Sequence, residues 1–392
     1  MPTGLSYAQL MRVPYIMRVV RRLHAPGSTM TNYYGLGVTP RVSTQIISGR
    51  AGQYDLFDST RSLAPFTAPG APPVDINRKP IGTQPITVPR QYNKIGIEDE
   101  KIFGMRDLGQ PYSQPVGSRG EQYFANQIRY LKTRMDNNHE FMTAHMFRGG
   151  WKLKPHSTGS QLLTLAPFTD TTAGAVANAT LVPAGNMTNI GGIIATSWDN
   201  PAANLIDQFM SLQVKAAQQS GRRITDVWVN GNTGKHLFTN SVLQAVGGSV
   251  YRIFDTMNLA TEISPEQRFP DTGVTVVFRG LPDIRFHIYN QGYVTPGTSE
   301  AFSAQINAAN WNFYIPDNMA VMTPPPGDWC EMVEGTEPIQ WNLREAGSRA
   351  VTGLGTGTER AIDPPKTDVK MLYNGAPVIV EPYAVYYATV IF

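Results

Sequence analysis

The chain has 392 residues, of which 41% are hydrophobic and 16% are charged. Average soluble proteins carry about 25% charged residues, so charge-driven disorder is excluded for most of this chain. The single cysteine, Cys330, excludes an internal disulfide and a cysteine-rich zinc module, and no stretch has the roughly 20 apolar residues that span a bilayer. At about 100–200 residues per domain, we expect a folded protein of two or three domains.

The N-terminal segment is basic. Its first 54 residues contain six arginines and no lysine, aspartate or glutamate, which gives a formal charge of +6. Such a segment attracts polyanions, although a basic arm that lies on a neighbouring acidic face would have the same composition. Arginines also interrupt the apolar stretch 5–23, so we expect no signal peptide and a chain that stays in the cytosol. The candidate contacts with a polyanion or an acidic partner are Arg12, Arg18, Arg21 and Arg22.

Residues 64–90 include seven prolines, which prevent a helix and remove backbone donors from a strand ladder. The alternation around Ile81, Ile86 and Val88 suits a ribbon at a sheet edge. We therefore expect an extended loop that reaches away from a core. A flexible linker is the alternative, but the segment lacks the serine and glycine content of one.

Residues 119–148 have the period of a long helix that ends at Gly149 and Gly150. At about 1.5 Å per residue it would run for roughly 40 Å. The buried stripe is predicted to consist of Phe124, Ile128, Leu131, Met135, Met142 and Met146. The exposed face is predicted to carry Arg129, Lys132, Arg134, Asp136 and Glu140.

Residues 151–335 are predicted to alternate between strands and helices, in the manner of an α/β unit beside a mixed sheet. Helices are expected from Pro201 to Gly221, with Asn200 as the cap, and from Thr233 to Gln244. A Thr-, Ala- and Gly-rich surface loop is expected between the first two strands. The predicted strands lie at 151–153, 193–196, 224–229, 274–278, 285–289 and 311–314.

After Met332 the sequence predicts strands and loops, with a mobile glycine tract at 353–357. The final apolar segments, 378–380 and 383–392, predict a pair of strands that is buried in a sheet. The predicted fold class is therefore α+β.

The turn at 229–236, VNGNTGKH, lies between a predicted strand and a predicted helix, where backbone amides often bind phosphate. Two residues separate its glycines and His236 follows its lysine, whereas a P-loop needs four residues and a Ser or Thr. A plain strand-to-helix turn is therefore favoured over a nucleotide site.

Other chemical motifs also fail on spacing. His139 and His145 are six residues apart, so they point to different sides of a helix and do not share a metal ion. We expect His139 on the polar face. Cys330 has no local base, and the tract at 353–357 lacks the full dinucleotide spacing. No catalytic, cofactor or metal residue is predicted, and the protein is not expected to be an enzyme.

Two local sequences carry a resemblance to a known family. The first, FYIPDNMAVM at 313–322, resembles an aromatic-x-Pro-Asp-Asn turn, and the second, APVIVEP at 376–382, is similar to a closing apolar segment. Together with the order of the predicted elements, they resemble the major capsid proteins of tailed bacteriophages, specifically the lambda-type capsid protein E family. That resemblance covers nearly the whole chain and implies the Hong Kong 97 fold.

The resemblance implies a division of the chain. Residues 1–45 would be an N-terminal arm, and 46–115 an extended loop over a neighbouring subunit. Residues 116–199, with the spine helix, and 336–392 would form a peripheral domain, and 200–335 an axial domain. The implied function is a shell of hexamers and pentamers, assembled in the host cytoplasm, that encloses double-stranded DNA in the virion. Implied further partners are scaffold, portal and decoration proteins, with no cofactor and no membrane.

Other functions stay open at this stage. An encapsulin-like compartment would share the fold and differ in its cargo. A stand-alone nucleic-acid-binding protein would use the basic arm, and a nucleotide-binding enzyme would use the turn at 229–236.

Overall fold

The computed structural model describes nine parts of the chain. They are residues 29–57, 82–98, 118–156, 159–171, 175–247, 273–294, 311–341, 349–361 and 366–392. Five α-helices lie within them: α1 (Thr29–Tyr34), α2 (Ser118–Met146), α3 (Leu205–Gln219), α4 (Gly231–Thr239) and α5 (Ser241–Gly247).

The described residues also contain eighteen β-strands. The first nine are β1 (Thr44–Ser48), β2 (Ala51–Leu56), β3 (Gly82–Thr87), β4 (Arg90–Glu98), β5 (Gly150–His156), β6 (Gly159–Pro167), β7 (Val176–Ala179), β8 (Met187–Thr188) and β9 (Asp226–Val229). The others are β10 (Gly273–Val277), β11 (Arg285–Tyr289), β12 (Gly292–Val294), β13 (Trp311–Phe313), β14 (Met319–Thr323), β15 (Cys330–Ile339), β16 (Arg349–Ala361), β17 (Lys366–Ile379) and β18 (Tyr386–Thr389). The α+β class predicted from the sequence is confirmed.

Two larger sheets organise the fold. The five-stranded sheet has the order β1-β15-β16-β17-β4, and α2 contacts its strands β17 and β4. The six-stranded sheet has the order β10-β11-β9-β14-β18-β8. Three smaller sheets join β6-β5-β7, β2-β3 and β12-β13.

The six-stranded sheet separates two hydrophobic cores. Along β9, Trp228 packs in the first core with α2 and the five-stranded sheet, whereas Val227 and Val229 pack in the second core with α3, α4 and α5. Strands β11 and β14 alternate in the same way. Because successive side chains of a strand point to opposite faces, one face of this sheet packs in the first core and the other face packs in the second.

Helix α2 has the predicted apolar stripe. All six stripe residues are at most 4% exposed, and Gly149 and Gly150 follow the helix at φ values of +97° and +120°, which suit glycine. The prediction of its polar face is wrong in the second half of the helix. Lys132, Asp136 and Glu140 are buried, as is His139, so this half is enclosed on more than one side.

The glycine tract at 353–357 is not a mobile loop, as predicted, but part of β16. The ring of Trp341 covers this strand, and a Cβ added to Gly357 would lie 2.4 Å from it. A Cβ added to Gly355 would lie 2.9 Å from the same ring. The glycines at alternate positions of one strand face therefore make room for a tryptophan.

Other predictions of local structure need correction. Helix α3 begins at Leu205 and not at Pro201, because the side chain of Asn204 caps it by accepting from the backbone of Asp207. Asn240, in an extended conformation, divides the helix predicted at 233–244 into α4 and α5. The strand predicted at 193–196 is a turn and bend.

The surface loop that was predicted between the strands at 151–153 and 193–196 instead contains β6 and β7. The two C-terminal segments do not pair with each other either. Strand β17 lies in the five-stranded sheet and β18 pairs with β14, so the chain passes from one sheet to the other at 380–385.

Candidate functional site

The arginines singled out as candidate contacts with DNA or a scaffold protein lie outside the described residues. They are Arg12, Arg18, Arg21 and Arg22. Their role remains a prediction. The chemical motifs and the elements suited to subunit contact lie mostly within the described residues.

Two backbone amides of the turn at 229–236 already donate to side chains. Gly231 N donates to Asn290 Oδ1 at 2.6 Å, and Thr233 N donates to Asn230 Oδ1 at 2.9 Å. A phosphate would have to displace both side chains to reach these amides. These hydrogen bonds therefore explain why the segment is a plain strand-to-helix turn and not a phosphate site.

The FYIPDN segment packs directly against this turn. The carboxylate of Asp317 accepts from the side-chain amides of Asn230 and Asn232. Asn318 N donates to Thr233 Oγ1 at 2.9 Å, and Asn318 itself has a φ of +66°. A negative charge beside the turn repels a further anion, and the left-handed asparagine suits a tight turn.

The side chains of Cys330, His139 and His145 are buried. Burial raises the pKa of the Cys330 thiol and lowers the pKa of His139 to about 3 and that of His145 well below its usual value. Within the described residues, no group of three or more His, Cys, Asp or Glu side chains could hold a metal ion. Nor does any helix of the described residues meet the length and hydropathy that a membrane span requires.

Within the segment 46–115, which is predicted to be an extended loop, β2 and β3 pair as a two-stranded ribbon on either side of the undescribed residues 58–81, whereas β4 is a strand of the five-stranded sheet. Asn178 on β7 fixes its base, because Thr87 N donates to Asn178 Oδ1 at 2.7 Å and Asn178 Nδ2 donates to Thr87 O at 3.3 Å. Phe57 N donates to Val380 O at 2.7 Å at the end of β2. The ribbon is therefore held against the rest of the fold at both of its ends, by the sheet that contains β7 at the Thr87 end and by Val380, which follows β17, at the other.

Several large apolar side chains face outward. Ile46 on β1 is 67% exposed, and Met210 and Val214, one turn apart on α3, are 58% and 57% exposed. Single exposed apolar residues are ordinary, but an adjacent pair on an otherwise weakly charged helix face is typical of a contact surface.

A buried carboxylate joins α1 to α2. The backbone N–H groups of Met30 and Thr31 donate to the two carboxylate oxygens of Glu140, each at 2.8 Å. The Tyr289 hydroxyl of β11 donates to the same carboxylate. Burial raises the pKa of Glu140, while these hydrogen bonds oppose the rise by stabilising its ionised form. Glu140 therefore connects three elements.

Asp226 is the centre of a second buried cluster. Tyr33 Oη donates to Asp226 Oδ1 at 2.6 Å, and Arg285 Nε lies 3.0 Å from the same oxygen. Thr225 Oγ1 donates to Oδ2 at 2.6 Å, and His287 Nε2 lies 2.8 Å from Oδ1. Burial alone would raise the pKa of Asp226, but the hydrogen bond with His287 and the neighbouring charges keep it below its usual value. This carboxylate is therefore ionised at neutral pH.

His287 completes this cluster as a neutral ring. Its Nδ1 lies 3.0 Å from Thr275 Oγ1, and the ring stacks on Trp228 with centroids 4.2 Å apart. Burial lowers the pKa of His287. A proton on Nε2 lets the ring donate to Asp226 and accept from the threonine hydroxyl, so both nitrogens are satisfied.

The neighbouring Tyr34 connects α1 to the six-stranded sheet and to the end of α2. Trp228 Nε1 donates to Tyr34 Oη at 2.7 Å, and the same hydroxyl bonds to Thr323 on β14. The ring meets Phe147 and Trp329 edge-on, with centroids 5.2 Å and 5.4 Å apart. We call the set of contacts made by α1 with Glu140, Asp226 and this aromatic cluster the junction.

The sequence analysis did not predict the junction. It placed Glu140 on an exposed face and did not single out Asp226 or Tyr33. One signal was present, because the polar residues Lys132, Asp136, Glu140 and Thr143 recur at steps of four, four and three, the spacing of a helix face. The structure buries all four.

Comparisons with known proteins show the fold. No protein-family model and no curated protein sequence matches the chain. The chain is similar to a protein assigned as a prophage capsid protein in Escherichia coli CFT073, with a TM-score of 0.55 and 12% identity over 99% of each chain. At this identity the likeness shows the fold alone, and it confirms the phage-capsid fold of Hong Kong 97 type that the sequence predicted.

Two further solved structures are similar to the chain with lower TM-scores. The capsid of Ralstonia phage GP4 has a TM-score of 0.48 and 9% identity, covering 94% of this chain and 92% of that chain. A phage-related protein of Bordetella bronchiseptica RB50 has a TM-score of 0.47 and 10% identity, covering 96% and 95%.

Proposed function

We propose that this chain is the major capsid protein of a tailed bacteriophage, which self-assembles into the icosahedral shell of the phage head. The observation that supports it most is the similarity to the prophage capsid protein over 99% of both chains, with a TM-score of 0.55. The role is structural and not catalytic. It agrees with the occupied turn at 229–236 and with the buried Cys330 thiol.

The proposed organisation has a peripheral domain made of 116–199 and 336–392 and an axial domain at 200–335. The two cores support these bounds only in part. The first core also contains Trp329 and Met332, and the second core also contains Ile190 and Tyr386. Residues 1–45 are the proposed arm and 46–115 the proposed extended loop.

Features of the described residues suit contact between subunits. The β2-β3 ribbon forms a two-stranded sheet of its own and is anchored at its base. Such a ribbon gains stability by burying surface on a neighbour. Met210 and Val214 offer an apolar contact on α3. With 16% charged residues, few unpaired charges are desolvated when subunits pack edge to edge.

The proposed partners are other copies of the chain, in hexamers and pentamers, and the double-stranded DNA enclosed by the shell. Scaffold, portal and decoration proteins are proposed further partners. The arginines of the arm, Arg12, Arg18, Arg21 and Arg22, are the proposed contacts with DNA or a scaffold. The protein would be assembled in the host cytoplasm and located in the virion.

Imaging of the protein expressed alone tests the proposal. Closed particles of uniform size in negative stain would support a shell protein. Chains that stay dispersed, with or without the scaffold protein of the same phage, would contradict it. An encapsulin-like compartment is the alternative with the same fold, and the contents distinguish the two. Packaged double-stranded DNA in infected cells supports the capsid, and an enclosed protein cargo supports the compartment.

A further inference from the structure

Asp226 is a single buried carboxylate between two side chains that can carry a positive charge. Arg285 Nε lies 3.0 Å from Oδ1, and Arg285 Nη2 donates to Oδ2 at 3.1 Å. His287 Nε2 lies 2.8 Å from Oδ1. Because burial lowers the pKa of His287, its ring is neutral at neutral pH, and the charges of Asp226 and Arg285 then balance each other.

The His287 ring can take up a proton without losing a hydrogen bond. Its Nε2 already faces Asp226, and its Nδ1 lies 3.0 Å from the hydroxyl of Thr275. A hydroxyl group both donates and accepts, so rotation of the Thr275 O–H bond turns this group from a donor to Nδ1 into the acceptor of a proton on Nδ1. His145 lacks such an arrangement, because its buried Nε2 has no hydrogen-bond partner among the described residues.

The two partners of Asp226 differ in their access to water. The side chain of Arg285 is 26% exposed, whereas that of His287 is 4% exposed and that of Asp226 is fully buried. Two positive charges on one buried carboxylate leave one charge without compensation, which is costly away from water. Arg285 is the partner that can give up the contact, because its side chain already reaches the surface.

The other groups around the His287 ring do not change this balance of charge. Trp228 stacks on the ring with centroids 4.2 Å apart, and the Tyr33 ring of α1 lies 5.2 Å from it. Burial raises the pKa of Tyr33, so its hydroxyl stays neutral while it donates to Asp226. In the described part of the chain, Asp226 and Arg285 are therefore the charged groups that face the ring.

We propose that Asp226 exchanges its cationic partner when the solution becomes acidic. His287 takes up a proton inside the folded chain and pairs with Asp226, and the guanidinium of Arg285 moves from the carboxylate to the solvent. Asp226 lies on β9 and both partners lie on β11, so the exchange leaves the pairing of the two strands intact. A fall in pH is thereby converted into a new positive charge at the surface. The proposal concerns the folded chain and does not depend on shell formation.

Tryptophan fluorescence of the folded protein tests the proton uptake. A protonated imidazole quenches an indole on which it stacks, so the emission of Trp228 should fall in a single titration step. The midpoint should lie below 6.5, the ordinary value for histidine, while the far-UV circular dichroism stays constant. His287→Gln should abolish the step. The matched control, His236→Gln, changes a half-buried histidine of α4 and should retain it.

Two substitutions should move this step in opposite directions. Arg285→Gln removes the competing cation, so the midpoint should rise by about one pH unit or more. Thr275→Val removes the hydroxyl that accepts the second ring proton, so the midpoint should fall by up to about one pH unit. A purely structural role of the two side chains predicts no such pair of shifts.

Urea denaturation at two pH values tests the departure of Arg285. Arg285→Gln should lower the urea midpoint at pH about 7.5, where the native guanidinium holds the carboxylate. One pH unit below the fluorescence midpoint the loss should be less than about half as large, because His287 has replaced the arginine. The control, Arg223→Gln, removes a guanidinium that is 74% exposed and should have the same small effect at both pH values.

The opposite results would overturn the proposal. Emission that stays constant until the chain unfolds would mean that His287 gains no proton in the folded state. A loss for Arg285→Gln that is equal at both pH values would mean that Arg285 stays on the carboxylate. If the His287→Gln protein does not fold, the shifts caused by Arg285→Gln and Thr275→Val decide. Because every readout uses the folded chain, a failure of the exchange leaves the capsid proposal untouched, and the reverse also holds.

Discussion

The side chain of Asn178 forms two hydrogen bonds with the backbone of a single residue, Thr87. It accepts from the amide at 2.7 Å and donates to the carbonyl at 3.3 Å, as a neighbouring strand would. Asn178 is 6% exposed, so these bonds lie where water does not replace them. One asparagine thus continues the backbone pairing between the β2-β3 ribbon and the sheet that contains β7.

Substitution of Asn178 should loosen the ribbon. Asn178→Ala leaves two backbone groups of Thr87 without these partners, and we expect a loss of about 1–3 kcal/mol in the free energy of unfolding. Urea denaturation measures the loss. Asn189→Ala, at an exposed asparagine, is the control and should change the free energy by less than about 0.5 kcal/mol. Equal stability of the two variants would contradict the anchoring role.

Substitution of Gly357 should disturb the tryptophan that covers β16. A Cβ at this position would lie 2.4 Å from the Trp341 ring, so Gly357→Ala forces the ring or the strand to move. We expect a destabilisation of about 1–3 kcal/mol, measured by thermal or urea unfolding.

Gly82→Ala is the matched control for this change. It lies in β3, where the added Cβ would meet Leu56 at an ordinary 3.5 Å. If Gly357→Ala is as stable as the control, Trp341 does not need the space that the glycine leaves.

Three buried histidines should make the protein sensitive to acid. Burial lowers the pKa of His139 to about 3, and it lowers the pKa values of His145 and His287. Between pH 6.5 and the folded-state pKa values, the unfolded chain binds protons that the folded chain does not, so stability falls as the pH falls. Each histidine contributes up to about 1.4 kcal/mol per pH unit in this window.

Glu140 and Glu334 act in the opposite direction, because burial raises their pKa values and the folded chain then retains protons more readily than the unfolded chain. The three histidines outnumber these two carboxyl groups. Urea denaturation at several pH values between 7 and 4 should therefore show a steady decrease in the free energy of unfolding. A constant free energy over this range would mean that the three rings do not stay neutral.

Charge reversal in the arm tests its proposed contacts. Arg18→Glu, Arg21→Glu and Arg22→Glu together should impair shell formation or DNA filling, because the arm then repels the polyanion or acidic partner. The control reverses Arg129, Arg223 and Arg279, which are exposed in the described part of the chain, and makes the same change in net charge. Normal assembly and packaging by the arm variant would contradict the proposed role.

The sequence predicted correctly those elements that the residue pattern of one short segment is enough to define. The stripe of α2 has a helical period and is buried as expected, because a single apolar face suffices to define it. The glycines of β16 were misassigned because their partner, Trp341, comes from another segment, and a glycine beside a buried ring looks like a flexible residue in the sequence.

The junction depends on contacts between residues that are even further apart in the sequence. Met30 and Glu140 are 110 positions apart, and Tyr33 and Asp226 are 193 apart. A glutamate on a helix is usually solvated, so its burial follows only from the backbone amides that reach it from α1. The rejection of the phosphate site rested on spacing, while the physical cause, the occupied amides of Gly231 and Thr233, required the fold.

Sedimentation velocity of the purified full-length chain tests the proposed shell function most directly. The protomer mass is 43.1 kDa. A shell protein should sediment as a uniform species in the megadalton range, either alone or after addition of the scaffold protein of its phage. A stable 43.1 kDa monomer under both conditions would contradict the capsid function.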